Sequence, residues 1–334
     1  MRMEATMEEW KCLYEVGLRI KELRPWDHFW DSDIITIVFS DAEPTYYCSI
    51  MGRGGLCFGI GTYVGEDGLN GFLSILENTS MPNVQVMRNQ RGLFSYFGNR
   101  CELTKVEYDV IKSLGYKFRG KHQWLYFHSF KPPYAPYILD GQEVATLTRV
   151  YVQLCEAIVD YINGKEKVEL DEKETLLRIC ENNSWSTRTA PLVIPDERHV
   201  GSVLTDELLL KRLDNRPRIE AELEMDVAWM GSTIVDPSFE RPICLRVAMI
   251  AERENGLVVD QHVPTPDQGD AECMLRQLVA FILKYGKPKT IYVRDAFSAN
   301  ILADSCEHLE IGLVIWPQLD IIDNVVEVFR ARGA

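Results

Sequence analysis

The residues able to carry chemistry are widely spread along this chain of 334 residues. Nine cysteines (Cys12, Cys48, Cys57, Cys101, Cys155, Cys180, Cys244, Cys273 and Cys306) include no Cys-x-x-Cys pair, so neither a zinc ribbon nor a thioredoxin-like site is expected. Most lie in apolar stretches such as Ile243-Cys244-Leu245, where a thiol behaves as a small hydrophobe. Six histidines (His28, His122, His128, His199, His262 and His308) form no His-Glu-x-x-His motif. His122 and His128 flank one strand and are read as packing or rim groups. A Cys–His dyad stays open, because such pairs assemble in space rather than along the chain. No Gly-x-Ser-x-Gly elbow is present. Gly52-Arg53-Gly54-Gly55 leads into a strand and fits neither phosphate-loop pattern, so it is read as a hairpin turn. Carboxylates are what the C-terminal third offers. Glu224 and Asp226 share one face of a strand, Asp295 ends another, and Asp323 and Glu327 stand one helical turn apart.

The elements that must position these groups follow from the hydrophobic pattern. The first part reads as a helix over 7–24 and strands over 34–39, 46–51 and 56–64. A helix over 66–78 and strand-like stretches over 84–96 follow. Thr104 and Glu107 form a capping box for a helix to 114. A strand over 124–130, an extended proline-rich connection over 131–137 and a helix over 142–162 complete it, with Asn163-Gly164 as the stop. The aromatics of its strands are read as core. Residues 164–213 look like a transition, with a mixed charge run over 165–174, Pro191 and Pro195 as breaks, and a short helix over 205–213. The last part is the clearest. Strands over 221–230, 243–251 and 257–263 precede a helix over 270–285, a strand over 290–294, a helix over 298–309, a strand over 312–316 and a helix over 319–330.

Composition sets outer bounds. The chain is 46% hydrophobic and 26% charged, ordinary globular values, and its length favours two domains. The net charge of -14 weighs against a partner with a phosphate backbone. Acidic residues in the N-terminal segment rule out the apolar region of a signal peptide, and no run reaches the roughly 20 apolar residues of a membrane helix. Scattered cysteines suit a reducing compartment, so a cytoplasmic protein is expected. Partners are unknown; a membrane is excluded, nucleic acid is disfavoured by the charge, and a homodimer is the base-rate expectation.

The order βββαβαβα resembles the ribonuclease H-like fold shared by retroviral-type integrases and many transposases. Gly286-Lys287-Pro288-Lys289-Thr290-Ile291-Tyr292-Val293-Arg294-Asp295 is similar to the integrase segment in which a proline precedes a strand ending in a catalytic Asp. As a whole, the chain resembles an uncharacterised two-domain bacterial family known only as domains of unknown function. Tyr47-Cys48-Ser49-Ile50-Met51-Gly52, Gly59-Ile60-Gly61-Thr62-Tyr63, Ile291 to Asp295 and Leu313-Val314-Ile315-Trp316 carry that resemblance. The fold expected is an N-terminal α+β domain over 1–163, a transition segment over 164–213 and a C-terminal ribonuclease H-like α/β domain over 214–334.

The ribonuclease H-like resemblance implies phosphodiester hydrolysis on two Mg²⁺ or Mn²⁺ ions about 4 Å apart. The metal ligands would be Asp226 (or Glu224), Asp295 and Asp323, with Glu327 as a further catalytic candidate. The same residues have plainer uses. Asp295 suits an N-cap for the helix that follows it, and Asp323 a solvated helix face. Ala296-Phe297 follow Asp295 where the integrase segment carries a small polar residue or Gly. The favoured reading is therefore a non-catalytic binding or accessory protein with a degenerate ribonuclease H-like domain and no cofactor. The alternative is a Mg- or Mn-dependent nuclease or phosphoryl-transfer enzyme.

Overall fold

The computed structural model describes residues 2–77, 83–170, 173–194, 204 and 206–333. Asn78, Asp171, Glu172, Pro195, His199 and Thr205, which enter the expectations above, lie outside the described residues. The chain divides into two compact units, Met1–Asp196 with Pro237–Arg241, and Glu197–Asp236 with Pro242–Ala334. Both are mixed α/β, with nine α-helices among the described residues. Among those residues no helix is long and apolar enough to cross a membrane.

The first unit runs α1 (Met7–Leu23), β1 (Ile34–Val38), β2 (Tyr46–Met51), β3 (Gly59–Val64), α2 (Gly65–Glu77), α3 (Asn83–Asn89), β4 (Gly92–Gly98), α4 (Lys105–Ser113), β5 (Trp124–Phe130), α5 (Gly141–Ile162), β6 (Glu174–Glu181) and β7 (Ser184–Pro191). Its seven strands form one mixed sheet in the order β5-β4-β3-β2-β1-β6-β7. Strand alternation sends Ile35, Ile37, Cys48, Ile50, Ile60 and Phe127 into a core with α1 and α5. Ile34, Tyr47, Tyr63 and Phe94 go to the opposite face, against Leu69 and Phe72 of α2. The strand aromatics are thus packing residues on both faces. Gly52 to Gly55 lie in the loop joining β2 to β3, with Gly55 at φ 77° and its N–H donating to the Gly52 carbonyl at 2.9 Å. The expected capping box is present at α4: Glu107 N–H donates to Thr104 Oγ1 at 3.3 Å, and Thr104 N–H to Glu107 Oε2 at 2.7 Å.

The structure differs from the sequence-based expectation at two places. Residues 83–89 are helix α3, not strand; a short run containing valines has too few residues for its period to decide between helix and strand. The supposed transition segment supplies a β-hairpin to the sheet. β6 pairs parallel to β1 (Ile35↔Leu176, Ile37↔Arg178), and β7 pairs antiparallel to β6. Leu176 is fully buried in the core. Thr175 Oγ1 donates to the Ile34 carbonyl at 2.8 Å and lies 2.7 Å from Thr36 Oγ1. The hairpin turns at Asn182-Asn183, with φ of 51° and 61°, the left-handed pair that a tight two-residue turn requires and Asn tolerates.

The second unit runs α6 (Glu207–Asp214), β8 (Glu222–Ile234), β9 (Ile243–Glu252), β10 (Leu257–His262), α7 (Asp270–Tyr285), β11 (Thr290–Val293), α8 (Ala296–His308), β12 (Gly312–Ile315) and α9 (Asp320–Gly333). The expected βββαβαβα order is present in β8 to α9. The sheet order is β10-β9-β8-β11-β12; β9 is antiparallel to its neighbours, and β8, β11 and β12 are mutually parallel. α7 places Cys273, Met274, Gln277, Leu278, Phe281 and Ile282 on one buried stripe. It packs with α8 against Leu223, Met225 and Val227 of β8. α9 covers the other face, where Leu319, Ile322 and Val326 meet Ala228 and Met230.

Candidate functional site

The alternation of β8 that sends Leu223, Met225 and Val227 toward α7 and α8 turns Glu224 and Asp226 toward α9. Both acids are buried, at 1% and 4% exposure. β11 runs alongside in register, Glu224↔Tyr292 and Met225↔Val293, which brings Arg294 beside Asp226. The Arg294 guanidinium donates from Nε to Asp226 Oδ2 at 2.8 Å and from Nη2 to Asp323 Oδ1 at 2.7 Å. Nη1 donates to the Pro317 carbonyl at 2.9 Å and to Asp323 Oδ2 at 3.3 Å. The planar fork of arginine matches this two-sided demand, which a lysine ammonium could not. Burial works against the charge on Arg294, yet Asp226 and Asp323 outweigh it and hold the guanidinium pKa above its ordinary value.

The first turn of α9 is closed by carboxylates. Asp323 Oδ2 accepts from Leu319 N–H at 3.0 Å. Glu224 Oε2 accepts from the N–H groups of Ile321 at 3.0 Å and Ile322 at 3.3 Å. Those donors have no partner within the helix, and negative charge is favoured at this end. Burial raises the Glu224 pKa, with the helix N–H groups and the Arg253 charge pulling the other way.

The sequence-predicted residues therefore separate. Asp226 and Asp323 come together, on either side of Arg294. Asp295 is the N-cap of α8, its Oδ1 accepting from Ser298 N–H at 2.9 Å. Glu327 is exposed on α9. Arg294 went unremarked in the sequence as a functional residue, although strand alternation from Tyr292 puts it on the face of Glu224 and Asp226.

The carboxylates at this place do not fit a pair of Mg²⁺ or Mn²⁺ ions. Asp226 Oδ2 and both oxygens of Asp323 already accept from a guanidinium, whose charge would repel a divalent ion. Among the described residues no group of three or more His, Cys, Asp or Glu side chains is disposed to hold a metal ion. Chemically the arrangement is a clamp: one buried cation ties the strand bearing Asp226 to the Pro317 carbonyl and the start of α9.

Elsewhere, the thiols whose pKa values are displaced all move upward through burial, Cys48 and Cys306 to about 12 and Cys155 and Cys244 to about 11. Such thiols are poor nucleophiles. In the first unit His128 Nε2 lies 2.9 Å from Glu107 Oε1. The Glu107 carboxyl is opposed by burial but is held below the usual Glu range by His128 and Thr104.

A family model described as a domain of unknown function (DUF7309) matches residues 10–178. The chain belongs to that family. A second model, likewise a domain of unknown function (DUF6930), matches residues 209–330, so the two-unit division follows two family domains. No curated protein and no solved structure matches the chain.

Proposed function

We propose that the protein is a non-catalytic binding or accessory protein whose second unit is a degenerate form of the ribonuclease H-like fold. The βββαβαβα order in a single five-stranded sheet supports the fold reading. The observation that carries the functional reading is Arg294, hydrogen-bonded to both Asp226 and Asp323. A two-metal hydrolase needs those oxygens for its cations; that they accept from the Arg294 guanidinium supports a reading that calls for no metal cofactor. The net charge of -14 weighs against a nucleic-acid partner. Val314, Ile315 and Trp316, exposed on the edge strand β12 and just after it, offer apolar surface to a partner instead. Nine free cysteines support a cytoplasmic setting.

The test incubates the full chain with single- and double-stranded DNA and RNA in Mg²⁺ or Mn²⁺. The expected outcome is no metal-dependent cleavage. Cleavage that appears with metal and disappears in Asp226→Asn would overturn the proposal.

A further inference from the structure

β12 is an edge of the second unit's sheet, paired on one side with β11. Gly312 N–H donates to the Lys289 carbonyl at 3.0 Å, and Trp316 N–H to the Val293 carbonyl at 2.7 Å. Alternation along the strand therefore points the N–H and C=O groups of Leu313 and Ile315 away from β11. Among the described residues nothing pairs with them. Such an edge is a template for another strand. The usual obstacles to pairing are missing. Gly312-Leu313-Val314-Ile315-Trp316 holds no charge and no proline, and its register with β11 is unbroken. Val314, Ile315 and Trp316 are 37%, 49% and 49% exposed. The opposite edge is guarded: β10 carries Asp260 and breaks register between Val258 and Asp260, both devices that hinder strand addition.

We propose that β12 pairs antiparallel with β12 of a second copy of this chain, about a two-fold axis at Val314, joining the two five-stranded sheets into one. The proposal rests on the reading that Val314, Ile315 and Trp316 serve a partner, and it names that partner. The edge is complementary to itself. Its outward groups sit at Leu313 and Ile315, one on each side of Val314. In this register Leu313 of each copy exchanges both backbone bonds with Ile315 of the other. Val314 meets Val314 across the axis. Trp316 of each copy lies opposite Gly312 of the other, where the missing side chain leaves room for the half-exposed indole. Symmetry supplies that match of large against small twice. The uncharged run also lets two chains, each of net charge -14, meet without like charges directly opposite one another.

The experiment is sedimentation velocity on the full chain over about 1–200 µM, since a strand pair of this length is a small interface and should associate in the micromolar range. Val314→Lys and Val314→Asp each set two like charges across the axis and should weaken association about tenfold or more. An equimolar mixture of the two should associate about fivefold or more tightly than either alone, because residue 314 faces itself only in the two-fold register. In the wild type, amide exchange at Leu313 and Ile315 should slow about threefold or more between the ends of that range, while Val314, whose N–H faces β11, should change little. Circular dichroism checks that the variants fold; where one does not, the exchange measurement decides alone. A wild type that stays monomeric throughout overturns the proposal and leaves the edge to a strand of some other chain. So does a dimer that both variants keep, a loss that mixing does not repair, or exchange at Leu313 and Ile315 indifferent to concentration. The nuclease assay is read separately. Metal-dependent cleavage overturns the non-catalytic reading whatever the oligomeric state, and an inert monomer removes the dimer alone.

Discussion

Replacing Arg294 with methionine tests the clamp through stability. Methionine keeps much of the stem and removes the charge and every donor. The loss has two unequal parts. The arm to Asp226 joins side chains of 15% and 4% exposure, and breaking a buried ion pair costs about 3–5 kcal/mol because the remaining charge is stranded. The arm to Asp323, whose side chain is 35% exposed, is screened and adds about 0–1 kcal/mol. Together they place the destabilisation near 4 kcal/mol, a melting shift of more than about 10 °C for a unit of this size. Adding Asp226→Asn removes the stranded charge, so the double variant should recover about 2 kcal/mol of the loss. Urea unfolding at pH 7 measures both differences. Amide exchange at Leu319, Ile321 and Ile322 should quicken in Arg294→Met, since the Pro317 connection and the first turn of α9 lose their tie. A single variant within 1 kcal/mol of wild type, or a double variant less stable than the single, would falsify the clamp.

Two buried glutamates should show opposite pH profiles. The Glu107 carboxyl, opposed by burial but held below the usual range by His128 and Thr104, contributes stability that is present above about pH 4.3 and lost as pH falls through its lowered pKa. Glu107→Gln should therefore cost about 1–3 kcal/mol at neutral pH, with the gap to wild type closing in acid; a gap that widens there refutes the pairing. Glu224, raised chiefly by burial, contributes stability that is full below about pH 4.3 and lost as pH rises through its raised pKa. Glu224→Gln keeps an acceptor for Ile321 and Ile322 while staying neutral, so unfolding curves should show it gaining on wild type from about pH 4 to pH 7; a loss over that range counts against the assignment.

Local rules made much of the fold readable. The capping box of Thr104 and Glu107 marks the start of α4, and the alternation around Asp226 marks β8 with its two faces. The hairpin β6–β7 was hidden by a neighbouring charge run. Its sheet position comes from Leu176 meeting a core built by distant strands, and its one local clue was Asn182-Asn183. At the site, the sequence pointed to Asp226 and Asp323 through their places on a strand and a helix. It could not show that Asp295 turns back to cap α8, a matter of one side-chain rotamer. Arg294 is the instructive omission. An inventory of acids passes over it, yet the period of two from Glu224 to Asp226 and from Tyr292 to Arg294 puts cation and carboxylate on one face.

The pairing of β1 with β6 bears on how the protein is made. β1 lies between β2, which follows it at once, and β6, whose Leu176 sits opposite Ile35. Translation proceeds at about 5–20 residues per second, so on the order of 10 s passes between synthesis of β1 and synthesis of its second neighbour. Without β6, a folded β1 would present an unsatisfied backbone edge flanked by Ile35 and Ile37, the kind of edge that recruits other chains. A fragment ending at residue 163 would keep that edge permanently and should aggregate. In the folded chain the Asn182-Asn183 hairpin covers that edge through the pairing of β6 with β1.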